Sequence, residues 1–155
     1  MLGLTFLSAS IWLILLLLPW RPWSTKECLV RTPTSNSQSK TISALIPARD
    51  ESQHIERTLR ALSSQEYLKN ITVVDDQSTD GTGIIVETLN LSNVSLINGE
   101  DPPDGWTGKL WALQQGLPYI SSELLLLLDA DIALEQGALV ALLQKQKERD
   151  YDLVS

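Results

Sequence analysis

The first twenty positions of the chain are almost continuously apolar. Residues 1–20 contain no charged side chain, and residues 11–18 read IWLILLLL. A helix of about 20 apolar residues matches the hydrocarbon thickness of a bilayer. Pro19 and Pro22 are expected to end this helix, because proline lacks an amide donor and restricts the residue before it. The pattern predicts an uncleaved transmembrane anchor over residues 1–20, with a signal peptide or a buried core helix as alternatives.

The segment after this apolar stretch is first basic and then polar. Arg21, Lys26 and Arg31 all follow the predicted span, and the positive-inside rule therefore places the rest of the chain in the cytoplasm. Residues 32–40 (TPTSNSQSK) contain too few apolar side chains to form a core. We therefore predict a basic juxtamembrane segment and polar linker over residues 21–40, followed by a folded domain over residues 41–155.

Short apolar runs recur through the predicted domain, and each is closed by polar or turn-forming residues. Runs of this length and composition are typical of buried strands. A helix is the alternative for the run of five leucines, because leucine is a poor strand former. The predicted strands lie at residues 42–46, 71–74, 94–97 and 124–128, and residues 153–154 are expected to open another.

Between these runs, apolar residues recur at helical spacing. The first such pattern begins at Ser52, which has the chemistry of an N-cap. The others cover residues 82–90, 108–119 and 135–149. Strands that are apolar on both faces and alternate with helices indicate a parallel sheet covered on each side. The prediction is an α/β fold, Rossmann-like, with a mostly parallel sheet flanked by helices.

Charge is distributed unevenly between the two parts of the chain. Residues 1–40 carry four basic side chains and one acidic side chain, a net charge of +3, whereas residues 41–155 carry eight basic and eighteen acidic side chains, a net charge of −10. An acidic domain argues against nucleic acid as a partner. The single cysteine, Cys28, excludes a disulfide scaffold.

Many of the acidic residues lie where the predicted strands end. Residues 49–51 (RDE) follow the first strand, residues 75–76 (DD) the second, and Asp129 and Asp131 the fourth. In open α/β sheets, ligands bind beyond the carboxyl ends of the strands. Mg²⁺ is commonly bound by one or two carboxylates together with substrate phosphates. The pattern therefore predicts a site for a metal–nucleotide diphosphate.

Three segments together resemble the inverting family 2 glycosyltransferases of the GT-A fold: residues 46–51 (IPARDE), 73–82 (VVDDQSTDGT) and 128–131 (LDAD). A fourth segment, residues 105–113 (GWTGKLWAL), together with the apolar N-terminus, is similar to the bacterial hopene-associated glycosyltransferases. The resemblance covers residues 41–155 and implies a GT-A fold.

The resemblance also implies a role for residues after the first two strands. Pro47, Ala48 and Glu51 would line the pocket for the base and ribose of a nucleotide sugar. Asp76, with Asp75 beside it, would bind the base by hydrogen bonding.

Other implied roles concern the diphosphate and a metal ion. Lys109 would lie near the diphosphate, and Asp129 would contact the ribose or the metal. Asp131 would hold Mn²⁺ or Mg²⁺, which bridges the two phosphates and stabilises the leaving group as a Lewis acid.

The function implied by the resemblance is an inverting, metal-dependent transfer of a sugar to a lipid-type, hopanoid-related acceptor at the bacterial inner membrane. The expected donor is a UDP-sugar. The family places its catalytic base in the second half of the domain, so the base is unknown here and is expected beyond Ser155. Residues 41–155 are expected to form the nucleotide-sugar-binding half. One alternative is a truncated, membrane-anchored nucleotide-sugar-binding protein without turnover. The other is a nucleotidyltransferase, which would be expected to carry a Gly-rich phosphate loop where residues 47–51 read PARDE.

Overall fold

The computed structural model describes residues 2–17, 41–148 and 151–154. It divides into two compact units, Met1–Val30 and Arg31–Ser155. The basic segment and linker predicted over residues 21–40 lie outside the described ranges.

In the first unit the structure describes residues 2–17, which form the helix α1 (Leu2–Leu17). Its 16 residues correspond to about 24 Å at the usual helical rise, whereas the hydrocarbon core of a bilayer is about 30 Å thick. Among residues 2–17, 41–148 and 151–154, no helix combines the length and the hydrophobicity needed to cross a membrane. Of the segment predicted as a transmembrane helix over residues 1–20, the structure describes the helix Leu2–Leu17, and residues 1 and 18–20 lie outside the described residues.

The second unit is built on a four-stranded sheet. The strands are β1 (Ile42–Ala48), β2 (Leu68–Asp75), β3 (Val94–Asn98) and β4 (Leu124–Leu127). They pair in the order β3-β2-β1-β4, and every pairing is parallel. The predicted parallel α/β sheet is confirmed, and the helical alternative for the leucine run is wrong.

Helices connect the strands as predicted, with different boundaries. They are α2 (Ile55–Ser63), α3 (Thr82–Thr88), α4 (Gly108–Gly116) and α5 (Ala138–Glu148). A 3₁₀ turn, Leu117–Tyr119, follows α4 directly. Residues 151–154 are not in a strand, so the strand predicted at residues 153–154 is not found.

The core lies on both faces of β1, which is central in the sheet. Successive residues of a strand point to opposite faces. Ala44 and Ile46 therefore contact the cluster that includes the apolar face of α2, whereas Leu45 belongs to a second cluster with Val74 and Ala112 of α4. All five side chains are fully buried. This two-sided packing explains why β1 is apolar except at Ser43, whose buried hydroxyl is hydrogen-bonded to the hydroxyl of Ser122 at 2.6 Å.

Two helices begin three residues later than predicted, and each delay has a local cause. Ser52 does not cap α2, because its backbone N–H donates to Asp80 Oδ2 at 2.8 Å and holds the residue in a loop. His54 takes the N-cap position instead, without a side-chain capping bond. Helix α5 starts after Gly137, whose φ of +84° is incompatible with a right-handed helix.

Candidate functional site

A cavity of about 410 Å³ opens at the carboxyl ends of β1, β2 and β4. These three strands are neighbours in a parallel sheet, so the residues that follow them meet at one edge. Seven of the eight residues predicted for the site line this cavity, and Asp75 does not. The lining residues are Pro47, Ala48, Arg49, Glu51, Asp76, Gly108, Lys109, Asp129, Ala130 and Asp131.

Asp75 and Asp76 are adjacent in the chain but face different surroundings. Asp76 is only 5% exposed and faces the cavity, where its Oδ2 lies 3.4 Å from Arg49 Nη1. The Asp75 carboxylate instead accepts the backbone N–H of Ser78 at 3.0 Å and lies against Gly83 of α3. The alternation of side chains along an extended backbone accounts for the difference. The structure thus brings Asp76 into the site and leaves Asp75 outside it.

Lys109 and Asp129 form an ion pair across the cavity. The Lys109 ammonium donates to Asp129 Oδ1 at 2.6 Å, and both side chains are more than half exposed. Exposed pairs of this kind contribute only about 0–1 kcal/mol to stability. A ligand that offers phosphate oxygens to Lys109, or a cation to Asp129, can therefore replace the pair at low cost.

The segment after β4 presents carboxylates on either side of a buried alanine. Ala130 is buried, and its carbonyl accepts the hydroxyl of Thr58 in α2 at 2.8 Å. Arg57 of the same helix donates to the carbonyl of Asp131 at 3.5 Å. These two contacts with α2 hold the backbone of the segment, and the exposed carboxylates of Asp129 and Asp131 both line the cavity.

The loop after β1, residues 49–52, is held by side chains of the segment after β2. Three consecutive backbone N–H groups of this loop donate to oxygen atoms of that segment. The pairs are Asp50 N–H to Ser78 Oγ (2.9 Å), Glu51 N–H to Thr82 Oγ1 (2.8 Å) and Ser52 N–H to Asp80 Oδ2 (2.8 Å). The hydroxyl of Thr82, and to a lesser degree the N–H of Ser52, hold the pKa of Asp80 well below its ordinary value.

Three residues that line the cavity were absent from the predicted set: Arg49, Gly108 and Ala130, which lies between the predicted Asp129 and Asp131. Arg49 pairs with Asp76 as described. Gly108 starts α4 so close to the cavity that an added Cβ would lie 2.5 Å from Asp76 Oδ2. The sequence contained a signal for Gly108, because it stands immediately before Lys109 at the start of a predicted helix. A glycine at such a position permits close approach of the backbone to a neighbouring group.

The charges at the cavity suit a metal-bound anion better than a bare metal ion. Among the residues that the structure describes, no group of three or more His, Cys, Asp or Glu side chains is arranged to hold a metal ion. The cavity nevertheless has four carboxylates and two cationic side chains along its described lining. Asp129 and Asp131 fit the one or two carboxylates with which Mg²⁺ is usually bound when substrate phosphates complete its shell.

Comparison with known proteins adds to this geometry. Residues 43–155 match the family model "Glycosyl transferase family 2". The 4,4'-diaponeurosporenoate glycosyltransferase of Staphylococcus haemolyticus is 32% identical over 114 residues, which cover 73% of this chain and 30% of the relative. This relative is not named for hopene, so the predicted hopene-associated subfamily is not supported.

Two solved structures show a similar fold. Residues 1–349 of TarS from S. aureus, in complex with UDP-GlcNAc, align with a TM-score of 0.54 and 27% identity over 72% of this chain and 32% of that chain. Glucosyl-3-phosphoglycerate synthase from Mycobacterium tuberculosis, in complex with Mn²⁺ and UDP-glucose, aligns with a TM-score of 0.56 and 25% identity over 69% and 39% of the two chains. The present chain thus spans about a third of the length of these proteins.

The fold, the cavity and the family match agree. The parallel sheet is GT-A-like, and the segments after β1, β2 and β4 that carried the sequence resemblance line one cavity. The family model covers most of the chain, including all four strands of the sheet except the first residue of β1. The chain belongs to glycosyltransferase family 2.

Proposed function

We propose that this chain forms the donor-binding part of an enzyme that transfers a sugar from a nucleoside diphosphate sugar to a lipid-type acceptor. The observation that carries the proposal is the cavity in which Asp76, Asp129 and Asp131 meet Arg49 and Lys109. The solved structures of TarS and of glucosyl-3-phosphoglycerate synthase with UDP-sugars support the class of donor. The relative named for 4,4'-diaponeurosporenoate supports a lipid-like acceptor.

Residues on β1 and after β2 would bind the nucleoside. Pro47, Ala48 and Glu51 would line the pocket for the base and the ribose. Asp76 is the buried carboxylate of the cavity, and it would accept a hydrogen bond from the base. A buried acceptor of this kind discriminates between bases, because a base without a matching donor would leave the carboxylate without that hydrogen bond, at a cost in binding free energy.

The opposite side of the cavity would bind the diphosphate. Lys109 would leave Asp129 and contact a phosphate, while Asp129 and Asp131 would hold Mn²⁺ or Mg²⁺ together with phosphate oxygens. The excess of carboxylates over cationic side chains in the cavity would repel a bare diphosphate, so binding should require the cation. When bound, the metal supplies a Lewis acid that stabilises the leaving diphosphate.

The remaining parts of the proposal concern the acceptor and the place of reaction. An acceptor hydroxyl or carboxylate would attack the sugar from the face opposite the diphosphate, with inversion. The acceptor would be a carotenoid-type lipid, of the kind for which the relative is named. The apolar residues 1–20 and the basic residues after them support an anchor that keeps the domain at the cytoplasmic face of a bacterial inner membrane.

A titration of UDP and GDP into the detergent-solubilised full chain, with and without Mn²⁺, tests the donor site. We expect one nucleotide to bind only when Mn²⁺ is present. Asp131→Asn should weaken this binding at least about tenfold, because it removes a charged metal ligand. Glu123→Gln is the matched control, since it removes one negative charge at the amino end of β4, away from the cavity.

Each outcome of the titration bears on a different part of the proposal. Equal binding with and without Mn²⁺, or an unaffected Asp131→Asn variant, would refute the metal role. If the folded chain bound neither nucleotide, the donor site itself would be wrong. Release of UDP from a UDP-sugar in the presence of a lipid acceptor separates a transferase from a binding protein without turnover.

A further inference from the structure

The loop after β1 forms one wall of the cavity in an unfavourable backbone conformation. Arg49 and Glu51 line the cavity on either side of Asp50. Asp50 has a φ of +54°, in the left-handed region that residues other than glycine adopt rarely. Such a conformation persists only when surrounding contacts hold it. The direction of the two cavity-lining side chains therefore depends on whatever fixes residues 49–52.

Two of the backbone contacts that fix this loop come from Asp80 and Thr82, beside the bond from Asp50 N–H to Ser78 Oγ. Asp80 Oδ2 accepts the N–H of Ser52 at 2.8 Å, and Thr82 Oγ1 accepts the N–H of Glu51 at 2.8 Å. The Thr82 hydroxyl in turn lies 2.6 Å from Asp80 Oδ1 and donates to it. A hydroxyl has one hydrogen and two lone pairs. Because its hydrogen is directed to Asp80, the oxygen is free to accept from Glu51.

Neither Asp80 nor Thr82 lines the cavity. Thr82 is fully buried at the start of α3. A bond from Thr79 strengthens the same connection, since its N–H donates to Asp50 Oδ1 at 2.7 Å. The carboxylate of Glu51 is oriented further by His54 Nδ1 at 3.1 Å. The segment after β2 thus holds the backbone of the loop, and the loop presents Arg49 and Glu51.

We propose that Asp80 and Thr82 are positioning residues of the donor site, which act by holding the backbone N–H groups of Glu51 and Ser52. The inference rests on the proposed function, because it assigns these residues a part in nucleotide binding. Because neither residue lines the cavity, neither would contact the nucleotide directly. They act by fixing the direction in which the side chains of Glu51 and Arg49 point. The guanidinium of Arg49 in turn pairs with the buried Asp76 at 3.4 Å.

A positioning role differs from a merely structural role in what it changes. If the bonds only joined α2 to α3, their removal would lower stability and leave the affinity of the folded protein unchanged. If they position the loop, the folded protein should bind nucleotide more weakly. A displacement of about 1 Å in a site can cost up to about a hundredfold.

Two substitutions at Thr82 separate these roles. Thr82→Val keeps the shape of the buried side chain and removes the hydroxyl, whereas Thr82→Ser keeps the hydroxyl. The affinity for UDP and GDP with Mn²⁺ is measured on the full chain in detergent, together with the melting temperature and amide hydrogen exchange at residues 50–52. We expect Thr82→Ser to bind like the wild type, and folded Thr82→Val to bind about tenfold more weakly with faster exchange at Glu51.

Asp80→Asn provides a second variant in case Thr82→Val does not fold, because Asp80 is exposed and asparagine keeps its shape. The amide NH₂ group replaces either Oδ2, which accepts the N–H of Ser52, or Oδ1, which accepts the N–H and the hydroxyl of Thr82. One of these contacts is lost in either orientation, so the affinity of the variant for nucleotide should fall as well. Glu87→Gln is the control, since it removes one charge from α3 at a residue that does not line the cavity.

The outcomes distinguish this inference from the proposed function. Wild-type affinity in folded Thr82→Val or Asp80→Asn would overturn the inference alone, as would a loss in Thr82→Ser equal to that in Thr82→Val. Failure of the folded wild-type chain to bind either nucleotide would overturn the proposed function, and the inference with it.

Discussion

Gly108 lies against Asp76, the most buried carboxylate of the cavity. The start of α4 approaches this carboxylate so closely that only a residue without a side chain fits between them. Arg49 Nη1, the partner of Asp76, would lie 3.7 Å from an added Cβ. The absence of a side chain at residue 108 therefore leaves the Asp76 carboxylate the space that it occupies.

Gly108→Ala is expected to weaken nucleotide binding. The new methyl group would lie 2.5 Å from Asp76 Oδ2, so the carboxylate must rotate away from its place in the cavity. We expect affinity for the nucleotide to fall about tenfold, with little change in melting temperature because alanine favours helix. Calorimetry on Gly108→Ala and on Gln114→Ala, an exposed position of the same helix, makes the comparison. Equal affinities in the two variants would contradict the close approach.

The low pKa of Asp80 predicts a pH dependence of stability. The hydroxyl of Thr82 lowers this pKa below the ordinary value of 3.8. A carboxyl with a lower pKa in the folded state stabilises the fold above its unfolded pKa, and the contribution is lost as pH falls. Wild type should therefore exceed Asp80→Asn in free energy of unfolding at pH 7, and the gap should narrow progressively as the pH falls below about 3.8.

Urea unfolding at several pH values between 7 and 3 measures this gap. Glu87→Gln, in the helix α3 that follows Asp80, serves as the reference for the loss of one exposed charge. A gap between wild type and Asp80→Asn that stays constant to pH 3 would show that the Asp80 carboxylate is not stabilised in the folded state.

At the scale of elements, the second core cluster packs α4 against the sheet. Of its three buried residues, Leu45 and Val74 belong to the sheet and Ala112 belongs to α4. Gly116, the last residue of α4, has a φ of −77°, which any residue adopts. Its lack of a side chain matters for packing instead. An added Cβ would overlap Leu45 and lie 2.9 Å from Val74 Cγ2, and both of these side chains are fully buried.

Gly116→Ala tests whether packing or helix propensity dominates at this position. Alanine gains up to about 1 kcal/mol from propensity, whereas overpacking a core costs about 1–3 kcal/mol. Because Leu45 and Val74 are fully buried, we expect overpacking to outweigh the gain in propensity, with a net loss of about 1–2 kcal/mol in the free energy of unfolding. Urea denaturation beside Gln114→Ala measures it, and a more stable Gly116→Ala would show that the sheet can move away from α4.

At the scale of the whole molecule, the parallel sheet assembles the site from distant parts of the chain. One cavity is lined by residues 47–49, Glu51, Asp76, residues 108–109 and residues 129–131. Their contact follows from the strand order, in which β1 lies between β2 and β4. The same order ties the loop after β1 to the segment after β2, so that one motif positions the other.

Much of the fold and of the site was predictable from local patterns. Apolar runs predicted all four strands of the described sheet, since burial on both faces requires such runs. Helix starts were less predictable, because the N–H of Ser52 is taken by Asp80, a residue 28 positions later. Arg49 and Gly108 were missed for a similar reason, since each depends on its distance from Asp76.

The amino-acid sequence by itself determined the α/β alternation, the acidic ends of the strands and the motifs of the family, because each depends on residues close together in the chain. The tertiary structure alone decided that Asp76 enters the cavity while Asp75 turns toward α3. It also decided that Lys109 pairs with Asp129 and that Thr82 holds Glu51. These outcomes depend on distances across neighbouring strands, which are set only when the sheet assembles in its particular order.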